Sequence, residues 1–201
     1  MRMWLKGGVL LLLCWAQGAA AGTVLVVGDS ISAAFGLETS QGWVHQLDER
    51  LKQRGDEHLV VNASITGDTT AGGLSRLPTL LAEHDPEIVI LELGGNDGLR
   101  GQPPSQMKQN LSRMVSLARE SGARVVLLGM RLPPNLGQRY TTAFADAFDS
   151  LAQEQQLAYV PFLLEGVGGV AGMMQPDGVH PTAGAQEQLL ENVWPVLEPL
   201  L

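Results

Sequence analysis

Five short runs rich in Val, Ile and Leu recur along the chain: Thr23–Gly28, 59–63, 87–93, 124–129 and 158–161. Each is the length of a strand and lacks polar alternation, the pattern of strands buried on both faces. Between them, apolar residues repeat at helical spacing. Trp43, Val44, Leu47 and Leu51 share one face before Gly55, and Leu74, Leu77, Leu80 and Leu81 follow a Gly pair. Leu111, Met114, Val115 and Ala118 precede Gly122, Phe144, Ala147, Phe148 and Leu151 form a fourth stripe, and a last helix starting near Pro181-Thr182 carries Leu189, Leu190 and Val193. Strands that alternate with helices imply an α/β fold, a parallel sheet covered on both faces. Five such strands predict a three-layer α/β/α, flavodoxin-like arrangement, in which ligands bind beyond the carboxyl ends of the strands. Segments 131–137 and 166–172, rich in Pro or Gly, read as loops.

The first 21 residues stand apart. Arg2 and Lys6 make a basic start, residues 9–15 are apolar, and Gly18-Ala19-Ala20-Ala21 supplies small residues for cleavage after Ala20 or Ala21. That is the pattern of a secretory signal peptide. Its apolar stretch is shorter than the roughly 20 residues that span a bilayer, so no stable membrane anchor is expected. Leu13, just before Cys14, is bulkier than lipid attachment at that cysteine accepts. Residues 22–201 then form one domain, exported to a bacterial periplasm or secreted. The single cysteine, Cys14, leaves with the leader. The mature chain therefore has no disulfide, no thiol nucleophile and no cysteine ligand.

The whole chain carries 13 basic and 21 acidic residues, a net charge of −8; loss of Arg2 and Lys6 leaves 11 against 21, or −10. With no cluster of Lys and Arg, nucleic acid is excluded as a partner. An acidic surface serves solubility and suits small or neutral substrates, and a monomer is expected. His45, His58 and His84 have no partner pattern and read as surface residues, with no metal site and no cofactor.

Four segments fall after strands or in the final loop. Gly28-Asp29-Ser30 ends the first strand and places a hydroxyl at the strand-to-helix turn. Ser and Asp are also ordinary helix N-caps. In 62–69, Gly67 offers a backbone N–H that no side chain shields. Gly94-Gly95-Asn96-Asp97 turns sharply after the third strand, and Asn96 has an amide donor with no proton to lose, which suits an oxyanion hole. Asp177-Gly178-Val179-His180 places a carboxylate three residues before an imidazole. Such a carboxylate fixes the ring tautomer and leaves Nε2 free as a base. Asn62-Ala63-Ser64 and Asn110-Leu111-Ser112 match glycosylation sequons.

Gly28-Asp29-Ser30, Gly67, Gly94-x-Asn96-Asp97 and Asp177-x-x-His180 resemble, in order, the four sequence blocks of the SGNH (GDSL) hydrolases. Residues 61–65, 91–101 and Arg131-Leu132-Pro133 are similar to a bacterial subgroup with thioesterase, protease, arylesterase and lysophospholipase activities. The resemblance covers nearly all of the mature chain. The Gly-x-Ser-x-Gly elbow of the α/β-hydrolases is absent.

The resemblance implies the SGNH hydrolase fold and a serine esterase acting on carboxylic esters and thioesters through an acyl-enzyme. It implies Ser30 as nucleophile, His180 as base, Asp177 as its orienting acid, and an oxyanion hole of Ser30, Gly67 and Asn96. It also implies a mobile acyl groove, assigned here to Leu99, Arg100, Gly101, Arg131 and Pro133. A small acyl ester, thioester or lysophospholipid is the expected substrate. Two alternatives remain at this point: a sugar deacetylase sharing the same catalytic residues, and a binding protein whose Gly-rich turns hold a phosphate or flavin.

Overall fold

The computed structural model describes residues 22–201. The proposed leader therefore lies outside the described residues. Five strands, β1 (Thr23–Gly28), β2 (Leu59–Asn62), β3 (Ile88–Glu92), β4 (Arg124–Leu128) and β5 (Ala158–Val160), form one sheet in the order β2-β1-β3-β4-β5. Every pairing is parallel. This is the doubly wound, flavodoxin-like order, with its switch point between β1 and β3.

Six helices accompany the sheet: α1 (Trp43–Gln53), α2 (Thr70–His84), the short α3 (Gly95–Leu99), α4 (Pro104–Glu120), α5 (Gln138–Gln155) and α6 (Gln186–Leu197). Helices α1 and α6 pack together on one face, and α2, α4 and α5 on the other. The helical stripes supply the covering layers: Trp43, Leu47 and Leu51 of α1, Leu111, Met114 and Val115 of α4, and Phe144, Phe148 and Leu151 of α5 are buried. Each fully buried Leu, Ile or Phe contributes about 1.5–3 kcal/mol from apolar surface removed from water. None of the described helices is long and apolar enough to cross a membrane.

The central strands β1 and β3 are buried almost throughout. At the edge, β2 differs from expectation: Leu59 is 59% exposed and Asn62 is exposed too, because no strand covers its far side. The Gly pair before Leu74 is part of the helix. Gly72 and Gly73 lie inside α2, which begins at Thr70 with the Thr69 hydroxyl accepting the Gly72 N–H at 3.3 Å. A Cβ on Gly73 would stand 2.2 Å from Leu93 Cδ1, so this glycine lets α2 seat against the end of β3. Pro181 does not begin the last helix. It forms an isolated bridge with Met174, and a 3-10 turn over Ala183–Ala185 precedes α6.

His58 is likewise not a free surface residue. Its ring, 12% exposed, lies 2.5 Å from Asp56 Oδ1 and 3.4 Å from Glu87 Oε2 beside the start of β2, at the end of the sheet away from the strand carboxyl termini. His45 and His84 are half-buried on α1 and α2.

Candidate active site

The site is assembled at the carboxyl edge of β1 and β3. Immediately after β1 the chain turns through Asp29, Ser30, Ile31 and Ser32, with Ala33 N–H returning to the Asp29 carbonyl at 3.0 Å. Gly28 must be small here. A Cβ would meet Glu92 Oε2, the Ser32 Cβ and the Ser64 hydroxyl, all at 2.8 Å. The turn is therefore packed against β3 and the β2–α2 loop, and Ser30 is buried to 8% exposure.

The chain's last long loop brings His180 over that turn. His180 Nε2 lies 2.9 Å from Ser30 Oγ, and His180 Nδ1 lies 2.7 Å from Asp177 Oδ2. The other Asp177 oxygen accepts the N–H groups of Val179 and His180, at 2.9 and 3.0 Å. These bonds hold the Asp177 carboxyl well below its ordinary value, at about 2, with the His180 ring contact the largest cause. Asp177 is thus ionised at neutral pH and accepts the Nδ1 hydrogen, which leaves Nε2 as the acceptor for the Ser30 proton. Phe35 stacks on His180 with ring centroids 4.5 Å apart, and Gln175 Nε2 donates to the Phe35 carbonyl at 2.8 Å.

Asn96 opens from the first turn of α3, and its Nδ2 donates to Asp29 Oδ2 at 3.0 Å. Asp29 Oδ1 accepts the Ile31 N–H at 3.1 Å. Burial pushes the Asp29 carboxyl above the usual carboxylate range, against the lowering effect of these two bonds. Asn96 has a second amide hydrogen and lines the same cavity as Ser30 and His180. Its neighbour Asp97 is turned inward, accepting the Thr70 N–H at 2.9 Å and the Thr70 hydroxyl at 2.5 Å. That pair ties the start of α2 to α3.

Gly67 has a left-handed φ of +79° but is absent from the cavity wall. Its carbonyl accepts Arg100 Nη2 at 2.8 Å. Arg100 and Gly101 also lie off the wall, whereas Leu99, Arg131 and Pro133 form part of it. Arg131 stacks over Phe162 with the guanidinium carbon 5.1 Å from the ring centre.

The cavity measures about 570 Å³, and its lining is mainly apolar: Ile31, Leu99, Met130, Leu132, Pro133, Phe162, Leu164 and Met174 join the polar residues at one end. Sequence reasoning found its rim but missed Met130, Phe162, Leu164, Met174 and Phe35. These reach the site from loops after β4, β5 and β1, and nothing in their local spacing marks them. Arg76 was missed as well. Its side chain pairs with Asp68 at 2.8 Å and donates to the Gly28 carbonyl at 3.3 Å, clamping the Gly67 loop to the Ser30 turn. Neither sequon asparagine is idle: Asn62 Nδ2 donates to the Ser32 carbonyl at 2.8 Å, and buried Asn110 donates to the Thr70 hydroxyl at 2.9 Å. No cluster of His, Cys, Asp and Glu suited to a metal occurs among the described residues.

A hydroxyl, an imidazole and a carboxylate joined in that order, at the mouth of an apolar cavity on an α/β/α sheet, define the arrangement of a serine hydrolase. Comparison with known proteins is more specific. The model of the GDSL-like Lipase/Acylhydrolase family matches residues 26–188. Esterase TesA of Pseudomonas aeruginosa is 60% identical over 201 residues, covering all of both chains. Thioesterase 1/protease 1/lysophospholipase L1 of Escherichia coli K12 is 40% identical over 193 residues, 96% of this chain and 91% of that one. A crystal structure of TesA aligns with a TM-score of 0.87 at 62% identity, over 89% of this chain and 99% of that chain. The protein belongs to the GDSL, or SGNH, lipase-acylhydrolase family and is an ester-bond hydrolase.

Proposed function

We propose that Ser30, His180 and Asp177 hydrolyse carboxylic esters and thioesters, including aryl esters, acyl-CoA thioesters and lysophospholipids, through an acyl-enzyme. The observation that carries this reading is the 2.9 Å contact between Ser30 Oγ and His180 Nε2 at the polar end of the apolar cavity. Ser30 Oγ attacks the acyl carbonyl while His180 Nε2 takes its proton. His180 then gives that proton to the leaving alcohol or thiol, and Asp177 stabilises the imidazolium in between. The oxyanion is held by the N–H of Ser30, the N–H of Gly67 and the side chain of Asn96. Water, deprotonated by His180, attacks the acyl-enzyme and releases the acid. No metal or cofactor is needed in this scheme.

The acyl chain lies along Leu99, Leu132, Pro133, Phe162 and Met174. This apolar wall favours acyl chains longer than acetyl, and so an acyl esterase over a sugar deacetylase. The mature chain begins after removal of residues 1–21, acts as a monomer, and works in a bacterial periplasm or outside the cell. That location keeps it from cytoplasmic acyl-CoA, and makes lipid-derived or foreign esters the accessible substrates.

The test is covalent capture. A fluorophosphonate should modify Ser30 stoichiometrically, with the adduct located by peptide mass spectrometry, and His180→Ala should abolish labelling. A modification elsewhere, or none, would remove the nucleophile assignment.

A further inference from the structure

Beneath the nucleophile lies a carboxyl that this reaction does not use. Glu92 ends β3 opposite Gly28, in a strand otherwise built of Ile, Val and Leu, and has no exposed surface. One of its oxygens does all its bonding. Oε2 accepts the N–H of Asp29 at 3.2 Å, the N–H of Ser32 at 3.3 Å and the Ser32 hydroxyl at 2.7 Å. Ser32 Oγ in turn accepts the indole N–H of Trp43 at 3.2 Å. Oε1 is buried with no partner among the described residues. Burial and the neighbouring Asp29 carboxyl push the Glu92 proton affinity far up, so an acid is an expensive group to keep here.

The donors gathered by Oε2 bracket Ser30. Asp29 precedes it and Ser32 follows it by two, while the intervening Ile31 N–H is taken by Asp29 Oδ1. The Ala33 N–H returns to the Asp29 carbonyl. The N–H of Ser30 is the one in this turn left without a partner among the described residues. That is the group the proposed reaction requires as an oxyanion donor.

We infer that Glu92 is a positioning residue for the reaction: by drawing the N–H groups on both sides of Ser30 onto a single oxygen, it fixes the direction in which Ser30 presents its own N–H and hydroxyl. The inference rests on Ser30 being the nucleophile. Glu92 touches no substrate, since it is not part of the cavity wall. It acts through the turn. If that oxygen is lost, two buried N–H groups and a hydroxyl lose their acceptor, and the turn is free to rotate toward other partners. Misplacing a reacting group by about 1 Å costs on the order of 10²-fold in rate.

The experiment compares wild type with Glu92→Gln, Glu92→Leu and Ser32→Ala. It measures the fluorophosphonate labelling rate at Ser30, kcat and KM on a short aryl ester, and the thermal midpoint. A glutamine carbonyl can accept the same three donors, so Glu92→Gln should stay within about threefold of wild type. Glu92→Leu should label and turn over about 10- to 100-fold more slowly, with KM within about twofold because the cavity wall is untouched. Ser32→Ala removes the shortest of the three bonds and should slow both rates about three- to tenfold. A folded Glu92→Leu that labels at the wild-type rate overturns the inference, as does a Glu92→Gln as slow as Glu92→Leu, or a loss carried by KM alone. If Glu92→Leu does not fold, an unchanged rate in Ser32→Ala overturns it instead. Failure of wild type to label at Ser30 is a different result: it removes the nucleophile assignment, and the inference with it.

Discussion

The two halves of the proposed active site, the turn of the proposed nucleophile and the arm of the proposed base, are held in opposite ways. The nucleophile turn is a product of the whole sheet: the bonds on Asp29, Ser32 and Asn96 reach across 60 to 67 residues of chain, and Asp29 and Ser30 are 2% and 8% exposed. The base arm is nearly self-contained. Asp177 orients His180 through bonds that span two or three residues, on a loop where the Asp177 side chain is 41% exposed. The carboxyl groups register the same contrast. Burial holds Asp29 and Glu92 above the usual range, and local hydrogen bonds hold Asp177 below it. One half derives its precision from the fold. The other carries its precision in four residues and needs the fold only to bring it near Ser30.

Changes in the two halves should therefore separate catalysis from stability. His180→Ala removes the base and should lower kcat by about 10⁴-fold or more. Its thermal midpoint should fall by no more than about 5 °C, because the 16% exposed ring is held by a local loop and its contacts with Phe35 and Ser30 rather than by the sheet. A large drop in midpoint would break the comparison by showing that the base arm supports the fold. Asn96→Ala should do both kinds of damage. Loss of an oxyanion donor should lower kcat by about 10²–10³-fold with little change in KM. Loss of the bond to Asp29 Oδ2 should cost about 1–3 kcal/mol, read by urea denaturation, because a buried acceptor is left unpaired. An unchanged kcat with a raised KM would contradict the oxyanion role.

The same contrast explains what could be read from the sequence. The base arm was legible because its chemistry is local: Asp177 and His180 stand three apart, and the structure joins them at 2.7 Å. The five-stranded sheet was legible because both faces of β1, β3 and β4 need apolar cover, which leaves unbroken runs. Position in the sheet was not. The run 59–63 reads as buried, yet β2 lies at the edge, a fact set by strand order and not by composition. The apolar stripe at Leu74, Leu77, Leu80 and Leu81 does not show that α2 begins at Thr70, because the need for a small residue at Gly73 appears only when Leu93 is seen to occupy the space. Glu92 did leave a trace, a single acid at the end of Ile-Val-Ile-Leu, but its partners lie 60 residues upstream. Arg100 and Gly101 were grouped with Leu99 by the resemblance of their loop to the family's groove, whereas both lie off the cavity wall and Arg100 donates instead to the Gly67 carbonyl at 2.8 Å.

Phe35 offers a finer test of how local the base arm is. It belongs to the nucleophile half in sequence, five residues after Ser30, yet it stacks on His180 while 45% exposed. An aromatic contact of this kind is worth about 0.5–1.5 kcal/mol, so Phe35→Ala should lower kcat/KM about two- to tenfold and Phe35→Leu less. If neither changes the rate, the Asp177 bonds alone hold the ring, and the base arm is more independent than the comparison allows.

The smallest effect expected is one of pH on stability, and the two halves should move in opposite directions. Asp177 has a folded value of about 2 against an ordinary 3.8. Between those values the unfolded chain binds the extra proton, so stability rises with pH there and the contribution is complete above about pH 4. Exposure of the side chain limits its size to about 0.2–1 kcal/mol. Asp177→Ala should therefore fall below wild type by a constant amount at pH 5–7, and the gap should close as pH drops toward 2. Glu92 runs the other way. Its folded value lies well above the ordinary 4.5, so the native state holds the proton that the unfolded chain loses, and stability falls as pH rises past 4.5. Glu92→Gln removes that titration, so it should gain on wild type as pH rises from 4.5 to 8. Urea midpoints measured from pH 2.5 to 8 would show both slopes. Two variants that drift in the same direction would mean that the carboxyl groups do not divide along the buried and exposed halves of the site.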